Sequence, residues 1–429
     1  MREALAIALR DGSGVRKHAH LANNARTMIG QRAPAHRSGH GFGLRWRTPM
    51  ETGTATAMND ESVAAAWNRC EREISAYSSC RQLHIAQVAP LYESVPPKLY
   101  GGTERVVSYL TEQQVQQGHR VTLFASGDST TAAELVPVCK RALRLDPLGA
   151  DPVRVHMRML KEVVRRAGSF DVIHFHTDDL HLALARRHAI SCVTTLHGRL
   201  DLPRLAPVYR EYSELPLVSI SNAQRRPLAW ANWAATVHHG LPLDLHRASE
   251  SPGRYLAFLG RIAPEKRVDR AIAIAHRTQI PLKIAAKVDP IDRDYFTAEI
   301  EPLIDGCLIE YVGEITDREK TRFLGDAIAL LFPIDWPEPF GLIMIEALAC
   351  GTPVIAFRCG SVPEIIDEGV SGFIVDDLDT AVSCVERARN LSRRRCREVF
   401  EQRFAASHMV DAYRSVYDLL AEHPRRLTA

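Results

Sequence analysis

The sequence predicts an α/β protein made of two successive Rossmann-like domains that face each other across a cleft. Two observations predict it. Short apolar strands alternate with helix-length segments from Leu83 to Ala356, the pattern of βαβ units on a parallel sheet. The alternation is interrupted once, between Gly240 and Arg254, where Gly, Pro, Asp and Ser replace any period. That stretch reads as a linker and divides the ordered chain into halves of similar size.

The first half opens with strand Leu83–Ala89. A loop carrying Pro90, Pro96, Pro97, Gly101 and Gly102 leads into a helix from Thr103 to Gln117, which Gly118 stops. Strand 120–125, helix 151–167 and strand 171–175 follow, then helix 179–188 and strand 192–196. Strand 217–220 precedes a helix after Ser221, whose hydroxyl suits an N-cap, and 235–238 closes the half. The second half restarts at strand 255–259 and continues as helix 264–277, strand 281–285, helix 293–303 and strand 307–311. Helix 316–325, strand 328–332, helix 341–350 and strand 353–356 complete it. The expected organisation is an extension at 1–80, an N-terminal domain at 81–240, a C-terminal domain at 241–407 and a last helix and tail at 408–429.

Residues 1 to 56 are rich in Arg, His, Gly, Ala and Ser and lack a core-forming period, so disorder is expected there, with a short helix at 61–75. A basic arm, sequence upstream of a start at Met58, and a transit peptide remain open readings. The chain of 429 residues is 46% hydrophobic, enough for a sizeable core. Its net charge of +3 makes no case for nucleic acid. No run reaches the length of a membrane span, and the N-terminus lacks the order of a signal peptide. The nine cysteines are scattered without a C-x-x-C pair, which fits a reduced cytoplasmic protein and no zinc module.

The chemistry concentrates in Pro337-Glu338-Pro339-Phe340-Gly341-Leu342-Ile343-Met344-Ile345-Glu346. One glutamate stands in a loop after a strand and another inside the following helix. The N–H groups of Gly341 and Leu342 open that helix, and a helix N-terminus suits anionic oxygens. Two carboxylates beside an anion cradle suit a ligand with both phosphates and hydroxyls, such as a nucleotide-sugar. Gly260, Arg261 and Lys266 lie across another strand–loop–helix junction, where a bidentate Arg and a point-charge Lys match a pyrophosphate. Gly101 and Gly102 let backbone approach a ligand, and Glu104 after them reads as a first-turn capping residue. His197 ends a strand before Gly198 and should face the cleft. His174 is expected to pack, whereas His176 and Asp178 are expected to line the acceptor side. No metal is expected, because the cations and helix termini can neutralise a pyrophosphate.

Together with Pro353–Ala356, Gly360–Glu364 and Gly372–Val375, these segments resemble the family 4 (group 1) glycosyltransferases, retaining enzymes of the two-domain GT-B fold. The resemblance covers about Leu83 to Leu420 and is densest from Phe332 to Val375. It implies that the last helix, about 408–422, crosses back to brace the first domain. It also implies donor contacts from Gly101, Gly102, Gly260, Arg261, Lys266, Glu338, Phe340, Gly341, Leu342 and Glu346. Glu346 would hold the ribose hydroxyls, Glu338 the transferred sugar, Arg261 and Lys266 the diphosphate, and His197 a sugar hydroxyl. Glu338, His197, Arg261 and Lys266 are thus the expected catalytic set. Ala286 stands where the family has a Gly-rich turn, which leaves the nucleotide open. No cofactor is expected: the nucleoside-diphosphate sugar is a substrate, the acceptor is an unidentified hydroxyl, and membrane contact follows only for a lipid acceptor. A phosphorylase, a nucleotide-sugar epimerase and a non-catalytic binding protein are the alternatives.

Overall fold

The computed structural model describes residues 81–98, 101–146, 149 and 151–422, so the expectations for residues 1–80 lie outside it. Two parallel sheets form the molecule. The first joins β1 (His84–Val88), β2 (Arg120–Ala125), β3 (Glu134–Pro137), β4 (Val172–Phe175), β5 (Cys192–Thr195), β6 (Leu217–Ser219) and β7 (Trp233–Thr236). Their spatial order is β3-β2-β1-β4-β5-β6-β7. The second joins β8 (Tyr255–Ile262), β9 (Leu282–Val288), β10 (Ile309–Gly313), β11 (Ala327–Phe332), β12 (Val354–Phe357) and β13 (Gly372–Val375) in the order β10-β9-β8-β11-β12-β13. Central strands such as β1, β4 and β11 are buried along almost their whole length because helices cover both faces of a parallel sheet.

The helices of the first half are α1 (Gly102–Gln116), α2 (Pro152–Arg166), α3 (Leu182–Arg187), α4 (Leu205–Glu211) and α5 (Asn222–Arg225). Those of the second are α6 (Val268–Thr278), α7 (Asp317–Gly325), α8 (Leu342–Ala349), α9 (Val362–Ile365), α10 (Leu378–Arg389), α11 (Arg393–Arg403) and α12 (Ala406–Glu422). In each sheet the strand order reverses direction beside the first strand: between β1 and β4, and between β8 and β11. Ligands of open α/β sheets bind outside the carboxyl ends of strands at such switch points.

The crossing helix is present. On α12, Tyr413 and Tyr417 are fully buried, and their hydroxyls meet Thr195 and His174 of the first half. The stretch after Gly240 is not a loose tether. Leu241 pairs with Ala405, and a Cβ on Gly240 would lie 2.6 Å from the Ala405 carbonyl oxygen.

Some expectations need correction. Helix 264–277 is two pieces: a 3₁₀ turn at Pro264–Lys266, then α6, with Arg267 between them at φ 53°. Arg267 is held in that left-handed conformation by bonds to Asp269 and Asp335. Segment 293–303 is a run of short, irregular helical turns that Pro302 helps end. β9 runs to Val288, so Ala286 lies inside a strand and not in a turn. β3, α4, α10 and α11 were not anticipated. β3 is a four-residue edge strand, too short to show a period.

Candidate functional site

Residues expected to bind the donor gather at the switch point of the second sheet. Arg261 is near the end of β8, and Glu338 is on the loop after β11. The 3₁₀ turn after β8 places Lys266 against that loop, where its Nζ donates to Glu338 Oε2 at 2.5 Å. Trp336 Nε1 donates to the same oxygen at 2.8 Å, and the Lys266 ammonium lies 4.6 Å from the Trp336 ring centre. Backbone pairing of Asp335 N with Glu265 O ties turn to loop.

Arg261 is not a bare cation. Its guanidinium donates to Asp292 at 2.5 Å and Glu265 at 2.8 Å, with Asp289 at 3.8 Å. Sequence reading named the arginine but none of these carboxylates. Lys287, beside Arg261 across the β8–β9 ladder, donates to Asp289.

The Glu338 loop is braced from below. Gly360 has φ 56°, and a Cβ there would lie 2.3 Å from the Glu338 carbonyl oxygen. Ser361 N donates to that same oxygen, and Ser361 Oγ to the Phe340 carbonyl. Gly341 has φ 83° and opens α8, as anticipated. Phe340 is buried beside His239 and Phe404.

Glu346 stands inside the helix, as expected. It is 2% exposed on α8, with Oε1 accepting from Lys320 Nζ at 2.9 Å. Oε2 has no hydrogen bond among the described residues. Burial would raise its pKa, but Lys320, with His246 and Arg105, more than offsets this and holds the carboxyl below its ordinary range. Lys320 also bridges to Asp317, and Asp317 to Arg105 on α1, so the charge chain reaches the first half. Lys320 and Asp317 were missed because helical spacing alone does not say what a surface pair faces.

In the first half, Gly101 caps α1 at the switch point, and a Cβ on it would meet Pro97 at 2.8 Å. Gly102 opens the helix, 3.8 Å from Leu342 of the second half when given a Cβ. Glu104 stands in the first turn of α1, where its carboxyl takes backbone hydrogen bonds at Glu104 and Glu93. It is buried, and burial raises its pKa. His197 follows β5, and its Nε2 is 2.9 Å from His176 Nδ1. His176 does not line an acceptor surface: it is buried beneath His197, with Nε2 on Gln87 Oε1 at 2.8 Å. Asp178 is half-buried beyond β4 with φ 52°. His174 packs as expected, fully buried between Tyr417 and Thr195. Burial pushes the pKa values of His174, His176 and His239 well below the ordinary value.

The halves touch around this site. Ser221 caps α5 through Gln224 N, as anticipated, and its hydroxyl also donates to the Pro339 carbonyl. Glu364, on α9, accepts from the N–H groups of Asn222 and Ala223 at 2.7 Å. A small groove between the halves is lined by Arg199, Asp201, Gln224, Pro337, Glu338 and Gly360. Arg199 and Asp201 pair there in a bidentate bridge, on a loop the sequence left without a role.

A family model described as "Glycosyl transferases group 1" matches residues 246–397, and one described as "Glycosyltransferase Family 4" matches residues 100–290. The chain is 27% identical over 199 residues to the alpha-maltose-1-phosphate synthase of Mycolicibacterium smegmatis, covering 41% of this chain and half (50%) of that relative's length. It is 25% identical over 411 residues to the D-inositol 3-phosphate glycosyltransferase of the same organism, covering 76% of this chain and 89% of that protein. Among solved structures, Anabaena HepE in complex with UDP and glucose superposes with a TM-score of 0.62 at 16% identity, over 79% of this chain and 100% of that one. The two facing parallel sheets are the GT-B fold.

Proposed function

We infer that the chain belongs to the family 4 (group 1) glycosyltransferases, whose two family models match residues 246–397 and 100–290. On that premise we propose that it moves a sugar from a nucleoside-diphosphate sugar to a hydroxyl acceptor, retaining anomeric configuration and using no metal. The observation that carries this is the junction of Lys266 and Glu338, 2.5 Å apart at the second sheet's switch point, with Arg261 on the adjacent strand end. The second half is the donor domain and the first the acceptor domain in this reading.

The diphosphate takes the positive charge of Lys266 and Arg261, exchanging their protein carboxylates for phosphate oxygens. The N-terminus of α8 adds backbone N–H groups. Release of Lys266 leaves Glu338 to accept from hydroxyls of the transferred sugar, where a carboxylate helps most as positive charge develops. Among the described residues the second oxygen of Glu346 is a buried acceptor with no hydrogen bond, which supports a ribose hydroxyl there. The leaving diphosphate oxygen deprotonates the acceptor on the face it leaves, so configuration is kept without a protein nucleophile. UDP in the Anabaena relative makes a UDP-sugar the first donor to try. The cysteines among the described residues are free thiols, which supports a cytoplasmic setting.

The test is a screen of UDP-, GDP- and ADP-sugars for thermal shift and slow donor hydrolysis, followed by NMR of the product anomer. One donor class that stabilises the protein and is hydrolysed is expected. An inverted product, or no donor that binds, overturns the reading.

A further inference from the structure

Beneath His197 lies a closed network of neutral polar side chains whose protons can be placed from the contacts alone. Tyr417 of the crossing helix is its pivot. Gln87 Nε2 and Gln114 Nε2 both reach the Tyr417 hydroxyl, at 3.3 and 3.2 Å, while His174 Nδ1 lies 2.7 Å from it. Gln87 Nε2 also donates to Gln114 Oε1 at 2.9 Å.

A tyrosine hydroxyl has one proton and two lone pairs. With both amide nitrogens donating into the lone pairs, the proton goes to His174 Nδ1, and every group is satisfied. With both amides flipped, two carbonyl oxygens face the hydroxyl at 3.2 and 3.3 Å and its single proton serves only one, so the other carbonyl oxygen meets the hydroxyl oxygen with no proton between them. The unflipped arrangement is therefore selected. His174 then donates from Nε2 to Thr195 Oγ1, 2.7 Å away.

The same choice propagates the other way. Gln87 presents its oxygen to His176 Nε2, so His176 carries its proton there. Its Nδ1 is a lone pair, and the group 2.9 Å from it, His197 Nε2, must be the donor. We propose that His176, held by Gln87, is a positioning residue that fixes the proton of neutral His197 on Nε2 and leaves Nδ1 as a hydrogen-bond acceptor. Burial of His176, which disfavours its charged form, keeps that nitrogen an acceptor at neutral pH.

The consequence is chemical selectivity. A group that bonds His197 Nδ1 must bring a proton, so it is a hydroxyl and not a phosphate oxygen. That step rests on the sugar-transfer reading above; the proton placement does not. The network also gives the crossing helix a chemical role, because Tyr417 sets the amide orientation on which the chain depends.

The proton placement is read by long-range ¹H–¹⁵N NMR of the full chain labelled on histidine, without ligand, with the His197 signals identified by their loss in His197→Gln. A protonated nitrogen at Nε2 and a bare one at Nδ1 are expected in the wild type; the opposite tautomer overturns the proposal. His176→Leu should release His197 into a mixture of tautomers. His176→Asn, whose Oδ1 takes the place of Nδ1, should keep the wild-type pattern. With an active donor, His176→Leu should lower kcat about tenfold at unchanged affinity for bare UDP, with most of the loss restored in His176→Asn. An unmoved tautomer in His176→Leu, or equal kcat in both variants, sinks the positioning role. If no donor turns over, the sugar-transfer reading fails while the spectrum still decides the tautomer.

Discussion

The two halves of the site bury polar groups in opposite ways. On the donor side they are charged and paired: Lys266 with Glu338, Arg261 with Asp292 and Glu265, Lys320 with Glu346. On the other side they are neutral and chained: His197, His176, Gln87, Gln114, Tyr417, His174 and Thr195. The difference follows from what each must do. A charged pair exchanges one ionic partner for another, so a phosphate or a hydroxyl can take a place already prepared. A neutral chain has no charge to exchange; its value is a single orientation, since each donor dictates the next acceptor. The first arrangement suits a ligand that comes and goes. The second suits a side chain that must not turn.

The largest expected consequence of that contrast is acid sensitivity seated in the first half. His174, His176 and His239 have folded-state pKa values well below 6.5, and His181 is pushed down to about 3, all chiefly by burial. Below pH 6.5 the unfolded chain binds protons there and the folded chain does not, so stability falls as pH falls. Each such histidine contributes a slope of about 1.4 kcal/mol per pH unit. Denaturant melts between about pH 7 and 5 should lose several kcal/mol in all. His181 lies outside the catalytic set, stacked on Phe175 and bonded to Thr194. Replacing it by Gln should flatten the slope by about one proton. A slope unchanged in His181→Gln would mean that this histidine is not held neutral.

On the donor side the sharpest test is Glu338→Gln. Turnover should drop about a hundredfold, because the carboxylate acts on charge that develops in transfer. Affinity for bare nucleotide should stay within about twofold. Full turnover would make the Lys266–Glu338 pair a packing feature. Arg261→Ala should weaken nucleotide binding about ten- to a hundredfold, the value of one charge-assisted contact. Titration calorimetry with UDP and GDP measures it, and unchanged affinity for both would remove Arg261 from the diphosphate site.

The contrast also explains which parts were legible in the sequence. The two-sheet α/β class and nearly every central strand could be read, because parallel strands buried on two faces leave apolar runs. Arg261, Lys266, Glu338 and Gly341 could be read because each follows a strand end at a junction with its own composition. Their partners could not. Asp292 lies 31 positions from Arg261, and Lys320 lies 26 from Glu346. Neither distance leaves a local signal. His176 was placed on the right strand end but given the wrong surroundings, since a histidine at a strand end reads the same whether it faces solvent or another histidine. Gly360 and Glu364 were visible as motif residues. Their work, bracing the Glu338 loop and reaching the other half, depends on contacts that only the fold creates.

Glu364 is where the two designs meet, and it gives the smallest expected effect. A charged donor-side carboxylate there binds neutral backbone N–H groups of Asn222 and Ala223, with His238 3.4 Å away. Burial would raise its pKa, but the hydrogen bond from His238 and the two backbone bonds more than offset this and hold it at about 2. The sign is that of a depressed carboxylate. Its contribution is fully present above the ordinary value of 4.5 and is lost as pH falls toward about 2. This window lies below the one in which the buried histidines begin to act, so the two are separable on one titration. Glu364→Gln keeps the shape, keeps one acceptor oxygen and removes the charge. It should cost about 1.5 kcal/mol at pH 7, the lower end for one charge-assisted bond, and nothing at pH values where the wild-type carboxyl is protonated. The slope between pH 6.5 and 5 should be the same in variant and wild type, because that region belongs to the histidines. A variant that instead changes the upper slope would place the contact between the halves inside the neutral network, and the division into a charged side and a neutral side would have to be redrawn.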